Sequence, residues 1–394
     1  MKHAGYPAPR YIYGTCRGLA CIARPLSSCS IGGSTLPNLS QAAAGANGAG
    51  ASQTCWGPHL VRAHTSSITA LLVLPNTPEV LVVSASMDSS LAAWRIARNS
   101  AVQAAWLTVP GGPVFSLTLQ PHAPGALPGP CCPAPLFCGS ASKQVLACTL
   151  SDPGRPASSP SAPALRLVAG GYTGWVRTLA VLGPWLFSAS CNFLLQHDTR
   201  LDPITHTATQ ELFKGDILAM AADPDSHAIF VGTADGCIHG FSINKTGGLS
   251  PLAQVAGAHS SRVTGLAVCG AQLYSVGLDG ALRAWSTADL TASAQVLDAH
   301  MGARMRCITR GPGGLIYTGG DDNMVRRWLP LPRLSAQQAE VPASLQPACL
   351  PPLQSAGGPL AAHASGVRAL AAGDTCLVSG DGEGQLCIWS QSPQ

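Results

Sequence analysis

Charge is scarce in this chain. Only 11% of its 394 residues are Asp, Glu, Lys or Arg, and aromatic residues make up 5%. The net charge of +4 is thinly spread, which argues against a nucleic-acid-binding face. No apolar run reaches the roughly 18 residues that a membrane-spanning helix needs. The 15 cysteines contain no C-x-x-C pair and no His/Cys spacing of the zinc kind. Cys16, Cys21 and Cys29 lack a well-spaced fourth ligand, so no metal site is expected. These cysteines are read as small buried hydrophobes in a reducing compartment, cytoplasmic and/or nuclear. No P-loop, dinucleotide fingerprint or nucleophile elbow occurs, and no cofactor is expected.

Acidic residues are missing altogether ahead of Glu79, while Lys2, Arg10, Arg17 and Arg24 are present. Residues 1–51 run through Pro-, Ser- and Gly/Ala-rich stretches with too little periodic apolar content to pack. They are expected to form a disordered leader. An acid-free, Arg- and Ser-bearing start is also the form of an organellar targeting segment.

Hydrophobic residues account for 46%, with 43 Gly and 32 Pro, a composition for a large core interrupted by many turns. From residue 60 onward one pattern recurs. AHTSSITALLV (63–73), AHSSRVTGLAV (258–268), AHMGARMRCIT (299–309) and AHASGVRALAA (362–372) each open with Ala-His and a short apolar strand. A second strand with a Ser or Thr follows, then an acidic turn, then a third strand ending in Trp six residues past the acid. Asp88 to Trp94, Asp279 to Trp285, Asp322 to Trp328 and Glu383 to Trp389 keep that spacing. Alternation around a turn at fixed offset is a β-hairpin signature. Three weaker copies fill the gap. Residues 112–148 lack the His, Asp and Trp. Residues 171–198 put Asn192 in the turn and His197-Asp198 at the third strand's end. Residues 215–241 keep Asp235 and end on Phe241.

The combined His, Ser/Thr, Asp and Trp offsets resemble the WD40 (Trp-Asp) repeat family over residues 52–394. The Trp-Asp dipeptide itself is poorly kept, since Arg95, Ser286, Leu329 and Ser390 follow the four tryptophans. The resemblance implies an all-β, seven-bladed WD40 β-propeller of four-stranded blades. Blade cores are expected at about 63–95, 112–149, 171–198, 213–242, 258–286, 299–329 and 362–390. The last copy has only three strands of its own. Residues 52–62 (SQTCWGPHLVR) belong to no complete blade, and an N-terminal velcro strand from this stretch would close the ring.

A recurring Ser, His and Asp invites a hydrolase reading. Four repetitions at blade spacing point instead to scaffolding. Four structural tetrads are expected: His64, Ser84, Asp88 and Trp94; His259, Ser275, Asp279 and Trp285; His300, Thr318, Asp322 and Trp328; and His363, Ser379, Glu383 and Trp389. In each, a carboxylate, an imidazole, a hydroxyl and an indole N–H satisfy one another. No catalytic residue is assigned, and an enzyme is not expected.

Function then falls to the surface. Arg177 (GWVRTLA), Arg306 (RMRCI) and Arg368 (GVRAL) take equivalent places just after the first apolar residue of a blade's first strand, facing the central opening. The resemblance extends to WD40 receptors of F-box ubiquitin ligases, which use arginines at this place to read phosphorylated segments. No F-box is visible in residues 1–60, so membership of that class is not implied. The plainer alternative pairs each arginine with a turn acid such as Asp321 or Asp381. His197, Asp198 and Arg200 resemble, with His for Trp, the Trp-Asp-x-Arg box by which cullin-4 substrate receptors dock on their adaptor. Residues 120–135, 151–163 and 330–359 are Pro-, Ser- or Gln-rich and are expected to be solvated loops, with Ser159-Pro160 open to phosphorylation. The sequence therefore describes a non-enzymatic scaffold or adaptor binding proteins or peptides, acidic or phosphorylated ones favoured. A cullin-type ligase substrate receptor and an RNA-associated assembly factor are the alternatives.

Overall fold

Short apolar segments separated by Gly-, Asp- and Ser-bearing turns favour antiparallel hairpins, because each strand can bond only to its sequence neighbour. The computed structural model describes residues 56–74, 80–97, 100–120, 135–148, 165–201, 203–211, 214–331, 350–374 and 376–391. The leader 1–51, Ser159-Pro160 and most of the expected loops lie outside the described residues. The described residues form one compact unit, built from seven four-stranded antiparallel sheets.

Each sheet is a blade, with strands a to d running from the inside out. Blade 1 comprises Ile68–Leu74, Val80–Ser86, Ser90–Ala97 and Ser100–Thr108. Blade 2 comprises Val114–Leu119, Leu136–Ser140, Gln144–Cys148 and Leu165–Ala169. Blade 3 runs through Val176–Leu182, Trp185–Ser190, Phe193–Asp198 and Thr205–Glu211. Blade 4 follows with Ile217–Asp223, Ala228–Thr233, Ile238–Ile243 and Leu249–Val255. Blade 5 holds Val263–Cys269, Gln272–Gly277, Leu282–Ser286 and Ala292–Val296. Blade 6 has Met305–Arg310, Ile316–Gly320, Met324–Trp328 and the two-residue Leu360–Ala361.

Blade 7 takes strands a to c from Val367–Ala372, Cys376–Asp381 and Gln385–Gln391. Its outer strand is Trp56–Arg62, which pairs antiparallel with strand c from Trp56 opposite Gln391 to Arg62 opposite Gln385. Strand a of every blade packs on strand a of the next, and blade 7 packs on blade 1, so the ring is closed.

The core is divided among the blade interfaces. Between blades 7 and 1, Ile68, Val82 and Trp94 pack with Ala369, Val378 and Ile388. Phe230, Val263, Leu273 and Trp285 do the same between blades 4 and 5. The b–c turns add backbone bonds from blade to blade. The Gly384 carbonyl accepts the N–H groups of Ala63 (2.9 Å) and His64 (3.1 Å). At φ +85°, a Cβ on Gly384 would stand 2.3 Å from the His64 carbonyl oxygen, so only glycine fits. Gly236 repeats the device with φ +83° and 2.1 Å to the His259 oxygen.

One expected loop is corrected. Residues 350–359, the described end of the Pro-, Ser- and Gln-rich segment read as solvated, fold back on blades 5 and 6 and lead into Leu360–Ala361. Leu353 is buried in the core shared by those blades. The Leu329 N–H donates to the Gln354 carbonyl at 2.8 Å, and Leu360 pairs with Val325. Two buried leucines outweigh the local polarity.

Candidate functional site

In blade 5, the Asp279 carboxylate accepts from His259 Nδ1 at 2.9 Å, and His259 Nε2 meets the Ser275 hydroxyl at 2.8 Å. Trp285 Nε1 donates to the same hydroxyl at 2.8 Å. Blade 6 repeats this with Asp322, His300, Thr318 and Trp328 at 2.8, 2.8 and 2.9 Å. Blade 1 differs by one member. His64 Nδ1 meets the Ser90 hydroxyl at 2.8 Å, and Ser90 in turn donates to Asp88, which stands 3.5 Å from the imidazole. His64 Nε2 and Trp94 Nε1 meet Ser84 at 2.7 and 2.9 Å.

Blade 7 corrects an expected member. Glu383 is exposed at the turn, and the carboxylate on His363 Nδ1 is that of Asp381, 3.2 Å away and fully buried. Asp381 lies two residues past Ser379 on the same face of the strand, so its short side chain reaches the ring. Ser379 completes the set with His363 (2.6 Å) and Trp389 (2.8 Å).

Blade 3 carries a variant that the sequence reading missed. Tyr172 stands where blades 1, 5, 6 and 7 have His, and His197 stands where they have Trp. Tyr172 Oη, Ser188 Oγ and His197 Nε2 lie 2.8, 3.0 and 3.1 Å apart. The alignment of GYTGWV with AHTSSI held the signal, with a phenol in the imidazole's place. His197 is therefore buried in the scaffold. Its neighbours in the docking-box pattern bond to each other, Arg200 Nη2 reaching Asp198 at 2.6 Å with its guanidinium 4.9 Å from the Trp185 ring centre.

Burial holds these imidazoles neutral. It pushes His197 down to about 4, with the nearby His206 adding to the effect. It also lowers His64, His259, His300 and His363 below the usual 6.5, even against the pull of their carboxylates. In Asp279, burial acts to raise the carboxyl, but the His259 and Arg283 bonds outweigh it and hold the group well below the usual range. A histidine that binds its proton more readily unfolded destabilises the fold as pH falls below the unfolded value. Stability should therefore be full above pH 6.5 and decline from there toward pH 4. His197 alone contributes about 3 kcal/mol of that loss by pH 4. The depressed carboxylates act only below about pH 4. Thermal melts from pH 8 to 4.5 should show the fall starting near 6.5, and a flat profile down to 4.5 would contradict it.

The surface site begins at a backbone irregularity. The a–b register slips by one residue at the second position of every strand a, leaving Thr69, Phe115, Arg177, Leu218, Thr264, Arg306 and Arg368 as the extra residues. A bulge frees its residue from the ladder and re-aims its side chain. These seven equivalent positions line the inner rim at the ring face that also bears the b–c turns and d–a connections, here the upper face.

The three expected arginines are thus equivalent in the backbone, but their side chains form two groups rather than one focus. Arg306 grips Asp321 through Nε (2.9 Å) and Nη2 (2.7 Å), and Arg368 Nη1 lies 3.3 Å from the same carboxylate. The Arg306 bonds, with the charges of Arg306, Arg368 and Arg304, hold the Asp321 carboxyl below its usual range. Asp381, the other acid considered as a partner, belongs to the blade 7 tetrad instead. Arg177 has no carboxylate partner among the described residues. Its guanidinium lies 5.0 Å from the Trp175 ring centre and 5.7 Å from that of Phe115.

The same ring of four-stranded blades occurs in a solved structure described as the WD40 beta propeller domain of Doa1. The match covers 85% of this chain and 98% of that one, with a TM-score of 0.62 and 15% identity. The chain has the WD40 β-propeller fold. No protein-family model and no curated protein matches its sequence. No helix among the described residues is long and apolar enough to cross a membrane.

Proposed function

We propose that this propeller is a non-catalytic scaffold whose upper face binds acidic or phosphorylated segments of partner proteins. The observation that carries this reading is the uncompensated positive charge on the inner rim. Arg306 and Arg368 share the Asp321 carboxylate, the exposed Arg304 adds its charge nearby, and Arg177 has no carboxylate partner among the described residues. A partner carboxylate or phosphate would enter between groups already held in place, and each charge-assisted bond contributes about 1.5–3 kcal/mol. Catalysis by the tetrads is disfavoured because Ser84, Ser275, Thr318 and Ser379 are fully buried and already bonded to both an imidazole and an indole. The eight described cysteines are all unpaired, which suits a reducing compartment, the cytoplasm or nucleus.

Replacing Arg177, Arg306 and Arg368 together by alanine should abolish recovery of partners in affinity purification. The melting temperature should fall by only a few degrees, because partly exposed ion pairs contribute about 0–1 kcal/mol each. Wild-type recovery should weaken as salt rises. Equal yields of the same partners from the triple variant would refute the reading.

A further inference from the structure

Phe115 and Trp175 come from adjacent blades and stack on each other, ring centres 5.3 Å apart and planes inclined by 24°. Phe115 is the bulged rim residue of blade 2, and Trp175 directly precedes strand a of blade 3. Trp175 is 46% exposed and Trp106 43%, whereas Trp94, Trp185, Trp285, Trp328 and Trp389 are buried. Arg177 closes one side of the pair, its charge over both rings. The result is a flat aromatic surface beside a cation that no described carboxylate neutralises. Across the rim, the Arg306–Asp321–Arg368 group is already partly neutralised from within. The two groups therefore differ in chemistry: one takes charge alone, the other takes charge and a ring.

We propose that Phe115, Trp175 and Arg177 form the specificity subsite of the upper face, taking an aromatic residue that neighbours an acidic or phosphorylated one in the partner peptide. This inference rests on the acidic-segment reading above. The peptide's ring lies against Trp175, and its anionic group meets the free edge of the Arg177 guanidinium. The Arg306–Asp321–Arg368 group holds a second, purely electrostatic contact. Arg177 thus has a role distinct from the other two arginines. Charge complementarity selects the acidic peptide, and the exposed indole selects its ring.

The test uses the full chain with three synthetic peptides of one length and a single-stranded oligouridylate, each followed by fluorescence anisotropy. One peptide is acidic with a Tyr beside the acid, one is acidic with Ala in its place, and one is neutral with the Tyr. The acidic Tyr peptide should bind about three- to tenfold tighter than the acidic Ala peptide. Trp175→Ala should erase that difference while leaving acidic binding in place, and Trp175→Phe should retain most of it. Arg177→Ala should weaken both acidic peptides. Arg306→Ala with Arg368→Ala should weaken both equally and keep the Tyr preference. Equal binding of the two acidic peptides, or a preference that survives Trp175→Ala, overturns the subsite and leaves the acidic reading standing. If neither acidic peptide binds, or if the neutral Tyr peptide binds as well as the acidic one, the acidic reading itself falls and this inference with it. Tighter binding of oligouridylate through Trp175 assigns the surface to nucleic acid and overturns the proposal.

Discussion

Trp285→Ala should cost about 3–5 kcal/mol of stability, the range for removing a large buried aromatic from a core. Two losses combine at that position. Trp285 is 5% exposed and packs with Phe230, Val263 and Leu273 between blades 4 and 5, so truncation opens a cavity at a blade interface. It also removes the donor to Ser275 at 2.8 Å, leaving a fully buried hydroxyl short of one partner. Phe241 is the natural control. It sits at the Trp position of blade 4, is equally buried, and forms no side-chain hydrogen bond. Phe241→Leu should therefore cost about 1–2 kcal/mol from lost packing alone. Urea unfolding of both variants measures the difference. If Trp285→Ala costs no more than Phe241→Leu, the tetrad contributes nothing beyond apolar burial.

Removing the closing strand should have the larger effect. Without Trp56–Arg62, strand c of blade 7 loses a seven-residue ladder and becomes an open edge. The same deletion takes Val61 from the core between blades 7 and 1 and cuts the chain next to Ala63 and His64, whose N–H groups hold the Gly384 turn. An open apolar edge in a ring invites pairing with another chain. The truncated protein should aggregate or melt far below the full chain, as seen by size-exclusion chromatography and thermal scanning. A monomeric protein with an unchanged melt would mean that the ring does not depend on this strand.

Much of the fold was legible because a tetrad imposes fixed distances. An imidazole, a hydroxyl and an indole that must touch recur at fixed offsets, so four blades announce themselves in the sequence. The misreadings fall where a different residue meets the same distance. Counting six residues back from Trp389 selects Glu383, whereas the period of two along a strand lets Asp381 reach His363 from the hydroxyl's own face. Tyr172 and His197 rebuild the triad of blade 3 with a phenol in the imidazole's place and an imidazole in the indole's, which a search for histidine at the first position passes over. The outer strand of blade 6 is two residues long, too short for alternation to show, and only Leu353 and Leu360 betray it. Phe115 and Trp175 lie 60 residues apart in sequence and meet only because strand a of blade 2 packs on strand a of blade 3. The arginine positions were legible for the opposite reason, since a bulge repeated in every strand a puts them at one place in the repeat. Asp321 was legible as a partner acid too, but not that it would serve arginines of two blades at once.

The central claim, that partners are held on the upper face, is tested most directly by lysine cross-linking and mass spectrometry of the purified complex. Lys143 and Lys214 are exposed on the upper face, in the b–c turn of blade 2 and just ahead of strand a of blade 4. Lys245 is exposed on the opposite face, in the c–d turn of blade 4. Cross-links from Lys143 and Lys214 to the partner, with Lys245 left unreacted toward it, are the predicted result. Partner cross-links through Lys245 alone would place the interface on the other face and contradict the account.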